Sequence, residues 1–188
     1  MLKGVMTGLL FGCLAASPTM AQDMEALKGE AKNVMMKFGG ALKGELKAGM
    51  EAGGPVNAIG VCNEKAPAIA AKVSGETGWT VRRTSHKLRN PASAPDALEQ
   101  KVLQTFLDRI AKGEAAADLA FATVVEENGK KTFRFIKAIP TEELCLNCHG
   151  EKLNPEVVAK LDKVYPGDKA RGFKPGEMRG VFTLSKPL

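Results

Sequence analysis

Residues 119–139 read LAFATVVEENGKKTFRFIKAI, two runs rich in β-branched and aromatic side chains on either side of Asn128-Gly129. Asn-Gly supplies two residues tolerant of positive φ, the requirement of a type I′ turn, so the stretch predicts a two-stranded antiparallel hairpin. The turn sets the register. Pairing Glu127 with Lys130 places Val124 opposite Phe133 and Ala122 opposite Phe135, which gives the hairpin one apolar face suited to packing. Upstream, Met24, Leu27, Ala31, Val34, Phe38, Leu42, Leu46 and Met50 recur at helical spacing, with a bend expected at Gly39-Gly40. Gly53-Gly54-Pro55 ends that helix, and Ile59, Cys62, Ala66, Ile69 and Val73 form the stripe of a second one, which Pro67 should loosen. Gly78 to Thr84 alternates as a strand with Trp79, Val81 and Arg83 on one face. Asp96 and Glu99 resemble a capping box for a helix reaching about Lys112, with the stripe Leu98, Val102, Phe106 and Ile110.

Beyond the hairpin, Thr141 and Glu143 introduce a helical turn, and Asn154-Pro155 begins a short helix to about Val164. A Gly/Pro-rich loop from Tyr165 to Gly176 precedes a last strand from Met178 to Ser185. Two helices, a strand, a helix, a hairpin and a final strand predict an α+β domain with an antiparallel sheet. The 188 residues, 44% hydrophobic and 26% charged, suit one soluble domain and exclude a disordered chain. One Trp, one Tyr and eight Phe are too few for base-stacking surfaces, and the formal charge of +6 is dispersed, without a Lys/Arg block. Nucleic acid is therefore not an expected partner. A modestly basic surface favours an acidic protein partner.

The first 21 residues read as a secretory leader. Lys3 is the charged start, Gly4 to Ala16 is apolar, and Thr19 and Ala21 are small residues placed for cleavage after Ala21. The apolar run of about 13 residues is short of the roughly 20 needed to span a bilayer, so an uncleaved anchor is the weaker alternative, as is lipidation at Cys13. No other segment is apolar enough to cross a membrane. Residues 22–188 are expected to form one periplasmic or secreted domain.

Removal of the leader takes Cys13 and leaves Cys62, Cys145 and Cys148, an odd number in an oxidising compartment. Cys145-Leu146-Asn147-Cys148-His149 is C-x-x-C-H, the attachment sequence of haem c. On a helical turn the two thiols share a face and can add to the two vinyl groups, while His149 follows as proximal iron ligand. A thioredoxin-like pair lacks its usual context, and a zinc site lacks a second Cys/His pair. Cys62 is either an inert core thiol or the second axial ligand; His86 and Met24, Met35, Met36, Met50 and Met178 are the competing donors. His86 sits in a polar, basic loop and is expected to be solvated. Arg82 and Arg83 point to opposite faces of their strand, so one of them is expected to meet a haem propionate, the alternative being a solvated strand end.

Several motifs now combine: Val61-Cys62-Asn63-Glu64-Lys65-Ala66-Pro67-Ala68-Ile69-Ala70, Gly78-Trp79-Thr80-Val81-Arg82-Arg83-Thr84-Ser85, Arg89-Asn90-Pro91, C-x-x-C-H, and Met178-Arg179-Gly180-Val181-Phe182. In order and spacing they resemble the haem c proteins with a PAS-like fold and His/Cys axial ligation, long known as a domain of unknown function. The resemblance runs from about Asn57 to Leu188. It implies a PAS-like antiparallel sheet with an N-terminal helical pair, thioether bonds at Cys145 and Cys148, His149 as proximal ligand and Cys62 as distal ligand. With both axial positions filled, iron has no open site, which argues against a peroxidase or oxygen-activating enzyme. The expected function is an exported monohaem c-type cytochrome that passes one electron to a redox partner or reports redox state. The alternative is a gas- or redox-sensing module acting through a separate protein.

Overall fold

The computed structural model describes residues 18–188, with side chains from Gln22 onward. The expected leader over 1–21 lies outside the described residues except for 18–21, which open the first helix. That helix, α1 (Pro18–Gly60), is helical throughout except at Gly53 (φ −174°, ψ 27°) and Gly54 (φ 67°, ψ −165°). The break falls where Gly-Gly-Pro predicts it. Gly54 takes a left-handed backbone conformation open to glycine, and Pro55 follows where a missing N–H costs little. At Gly39-Gly40 the backbone stays helical: the apolar stripe on either side, with Phe38 2% exposed, carries the helix across two poor helix formers.

A π-helical turn (Val61–Lys65) joins α1 to α2 (Ala66–Thr77), and the Ala66 N–H reaches back five residues to Val61 O. Pro67, in the first turn of α2, has no N–H to continue the α-helical ladder, and the wider turn precedes it. The remaining elements are β1 (Thr80–Thr84), α3 (Ala97–Ala111), β2 (Ala120–Glu127), β3 (Lys130–Pro140), α4 (Glu143–His149), α5 (Pro155–Val164) and β4 (Met178–Pro187). Asp96 and Glu99 form the expected capping box on α3, and Asn154 Oδ1 accepts from the Glu156 N–H at the start of α5. The turn introducing α4 differs from expectation. Glu142 takes the N-cap position, without a side-chain capping bond, while Thr141 lies buried with its hydroxyl unpartnered.

The four strands form one antiparallel sheet in the order β1-β4-β3-β2. Asn128 (φ 52°) and Gly129 (φ 72°) make the turn, and Val124 faces Phe133 and Ala122 faces Phe135, as the register argument requires. The fold is thus α+β, with the N-terminal helices on one face of the sheet and α3 on the other. Phe133, Phe135, Val81, Trp79 and Leu184 pack under Ala31, Val34, Phe38 and Val73 from the helical pair. Ile136, Ala138, Met178 and Val181 pack under Val102, Leu103 and Phe106 of α3. On the α3 side the buried Glu99 carboxylate accepts from Thr183 Oγ1 (2.7 Å) and Arg134 Nη2 (3.0 Å). This cross-link ties α3 to β3 and β4.

One irregularity decides how the site is built. Ile139 pairs with Gly180, but the next residue, Pro140, pairs with Met178, so Arg179 is an extra residue in β4. A bulge of this kind shifts the alternation of faces by one. It lets Met178 and Val181, three apart, both face α3. Among the described residues, no helix is long and apolar enough to cross a membrane.

Candidate functional site

Between the helical pair, the end of β1, α4 and the 165–176 loop lies a cavity of about 730 Å³. That volume falls in the range of sites for small molecules and cofactors. Cys62, Cys145, Cys148 and His149 all line it, together with apolar side chains that include Leu42, Leu46 and Phe182. The three cysteines are free thiols, each half-buried. Cys62 reaches the cavity wall together with its stripe neighbours Ile59 and Ala66, from the π-helical turn at the junction of the two helices. Cys145 and Cys148 are brought to the same wall by α4, whose first turn is tied to α1 through Lys43 Nζ and Glu142 (2.7 Å). Burial pushes the Cys148 thiol up from its ordinary value.

His149 is held by the 165–176 loop. Its Nδ1–H donates to Ala170 O at 2.8 Å, which fixes the tautomer and leaves the Nε2 lone pair free to accept. Burial, followed by the charges of Arg179 and Arg89, pushes its pKa down to about 2, so the ring is neutral and competent as a ligand. The loop reaches His149 through backbone bonds as well: Phe173 N–H donates to His149 O (2.9 Å) and Gly172 N–H to Gly150 O (3.0 Å).

Arg89 organises this corner. Its Nε donates to Asp168 Oδ1 (3.1 Å), its Nη2 to Cys148 O (2.5 Å) and Ala170 O (3.2 Å), and its Nη1 lies 3.4 Å from His149 Nε2. Asp168, 1% exposed, also accepts from the Ala170 N–H (2.9 Å) and Arg171 Nε (2.9 Å). Burial works to raise the Asp168 carboxyl, but the hydrogen bonds from Arg171, Arg89 and the Ala170 amide outweigh it and hold the group below the usual carboxylate range. Such outer partners orient a ligating histidine and tune its basicity.

Of the two arginines expected near a propionate, both border the cavity, and they differ in commitment. Arg82 Nη2 donates to Ala94 O (2.5 Å) and stands 3.5 Å from Glu99, so its guanidinium is engaged on the α3 side. Arg83, on the face of β1 that carries Val81, has no carboxylate within ion-pair distance among the described residues. His86 is exposed and packs edge-on against Phe173 (5.8 Å), in keeping with the expected solvated loop. Met35 and Met50 border the cavity, whereas Met36 is 60% exposed and Met178 is buried under α3.

The sequence reading missed Arg89 as a hub, and with it Asp168, Ala170 and Arg179. Arg89 stands within a motif quoted above, but its partners lie far along the chain. Nothing local marks Asp168 or Ala170.

With this arrangement in view, residues 14–187 match the Tll0287-like family over nearly the whole chain. The protein belongs to the Tll0287-like family. Its fold resembles the crystal structure of the cyanobacterial heme-protein Tll0287, with a TM-score of 0.60 at 23% identity over 92% of this chain and 97% of that one. At that identity the likeness is one of fold. No curated protein matches this member of the Tll0287-like family.

Proposed function

We propose that this Tll0287-like protein is an exported monohaem c-type cytochrome that carries one electron to or from a partner protein, or reports redox state to it. The observation that carries the reading is the convergence in one cofactor-sized cavity of the C-x-x-C-H thiols, a neutral His149 whose Nε2 is unprotonated and accepts from Arg89 at 3.4 Å, and the Cys62 thiol. The residues fit the group in shape and in donor chemistry. Cys145 and Cys148 would hold haem c through thioether bonds, and His149 and Cys62 would supply an imidazole nitrogen and a sulfur to its iron. When bound, the group supplies a one-electron iron couple.

The chain's own residues do the rest. Ala170 O holds the Nδ1 proton and so keeps Nε2 a donor to metal. Arg89 fixes the Cys148 carbonyl and the Ala170 carbonyl against each other, which holds the His149 ring in one orientation. The apolar wall from α1 and Phe182 excludes water, and low polarity of that kind is one of the levers by which a protein sets a redox potential. A sulfur donor that binds as thiolate favours the oxidised state, so the potential should lie below that of a His/Met cytochrome. A solvent-facing, dispersed positive charge suits an acidic partner.

The test is direct. Protein isolated from an exporting host should retain haem stain after denaturation, C145A/C148A should lose it, and C62S should keep it while changing the oxidised spectrum and raising the potential. Haem released intact by acid-acetone from the parent protein would overturn the covalent assignment. A C62S variant with the parent spectrum and potential would return Cys62 to the role of a core thiol.

A further inference from the structure

Arg82, Arg89, Arg109, Arg134 and Arg171 each stand within 4 Å of a carboxylate. Arg83 and Arg179 do not, nor does either donate a side-chain hydrogen bond among the described residues. Both border the cavity, from the adjacent strands β1 and β4.

Their placement is built into the backbone. Arg83 shares a face of β1 with Val81 and pairs in register with Phe182, itself on the cavity wall. Strict alternation from Phe182 would send Arg179 to the α3 face, with Val181 and Thr183. The bulge at Arg179 reverses this and gives the α3 face to Met178 instead. The Arg179 backbone is pinned in that position, since its carbonyl accepts from Ser85 Oγ at 2.7 Å, just past the end of β1. Two guanidinium groups thus face one cavity, and among the described residues neither has a carboxylate within ion-pair distance. Burial and then the charge of Arg83 both work against the charged form of Arg179. Half-buried like charges without anions destabilise a fold, and paired arginines elsewhere in this chain show that carboxylates were available.

We infer that Arg83 and Arg179 form a two-cation clamp for a ligand carrying two carboxylates, and, resting on the proposed haem reading, that these are the propionates of the bound haem. Arg179 is the member that strand alternation would send to the α3 face; the β4 bulge assigns it to the cavity. Arg82 takes no part. Guanidinium groups suit this task because each offers a planar fork of donors matched to a carboxylate and keeps its charge at all working pH.

The experiment uses the haem-loaded protein and the variants R83Q, R179Q and R179K, with R109Q as a surface control whose partner is Glu114. The midpoint potential of each is followed from pH 5 to 9 by spectroelectrochemistry. The clamp keeps both propionates ionised, so the parent potential should be flat across this range. R83Q and R179Q should each change the reduced-to-oxidised ratio at fixed applied potential at least threefold. Each should also acquire a pH-dependent step, as a propionate that has lost its cation titrates. R179K should restore most of the parent value, and R109Q should behave as the parent. Flat, unshifted profiles for both glutamine variants would overturn the clamp while leaving the haem assignment standing. A parent protein without covalent haem stain would overturn both. Should R179Q accumulate poorly, R83Q carries the same two readouts, and R179M gives a second neutral replacement at position 179.

Discussion

Replacing Asp168 should cost more stability than any other single carboxylate change near the site, and the size follows from its partners. Its side chain is 1% exposed and accepts from Arg89 Nε, the Ala170 amide and Arg171 Nε. D168A leaves the Arg89 guanidinium, 12% exposed, without its counter-ion. Removing one partner of a buried ion pair costs about 3–5 kcal/mol. Arg89 keeps two carbonyl acceptors, at Cys148 and Ala170, and Arg171 keeps Asp162 at 2.5 Å, so the lower end, about 3 kcal/mol, is expected. For a chain of this size that corresponds to a fall in Tm of roughly 6–12 °C. D168N preserves shape and one acceptor, and exchanging charged for neutral hydrogen bonds to Arg89 and Arg171 should cost about 2 kcal/mol at pH 7. The pH dependence has a definite sign. Because the folded carboxyl is held below its ordinary value, its contribution is complete above the unfolded pKa of about 3.9 and is lost as pH falls through the folded one. The gap between parent and D168N should therefore hold from pH 8 to 5 and close below about pH 4. Guanidinium unfolding followed by far-ultraviolet circular dichroism measures both quantities. A D168A loss under about 1 kcal/mol, or a gap that widens on acidification, would refute the argument.

Other outcomes follow from the sheet and its turns. G180A should be severely destabilising, because a Cβ there collides with the backbone carbonyl of Thr84, and backbone cannot swing aside; thermal melting should show this, and a parent-like Tm would contradict it. E99A strips Arg134 of one of its two carboxylates and Thr183 of its acceptor, at about 3 kcal/mol in urea unfolding. An equal loss in E99A and in the surface variant E114A would mean that the buried cross-link contributes nothing special. G129A forces a side chain into positive φ and should cost about 1–2 kcal/mol, with near-normal haem spectra, since the turn lies away from the cavity.

The legible parts of this fold are those whose determinants sit within a few residues of one another. Asn128-Gly129 dictates a turn, the turn dictates register, and Phe133 and Phe135 follow onto one face. Asp96 and Glu99 cap α3 across three residues. C-x-x-C-H is likewise local. The parts that escaped depend on partners far apart in sequence. Arg89 finds Asp168 only because the 165–176 loop folds back over α4. The Arg179 bulge exists because Met178 and Val181 both find room under α3, which no reading of β4 alone contains. Cys62 was legible as a helical residue, but the π-helical turn that carries it onto the cavity wall arises where Pro67 interrupts the ladder. At Gly39-Gly40 two poor helix formers stay helical because the stripe around them packs on the sheet.

The strand order carries a consequence in time. β4 lies in the middle of the sheet, between β1 and β3, yet it follows Cys145 and Cys148 in the chain. A polypeptide that emerges N-terminus first therefore presents both thiols before the strand that completes the sheet has appeared. Joining β1 to β4 also requires closing a loop of about a hundred residues, and contacts of such sequence separation form late. Until they do, Phe182 and Arg179 are missing from the cavity wall, and α4 is reachable from that side. On the proposed haem reading, thioether formation at Cys145 and Cys148 would have an interval in which the cavity stands open on the β4 side, and closure of the central strand afterwards would seal it.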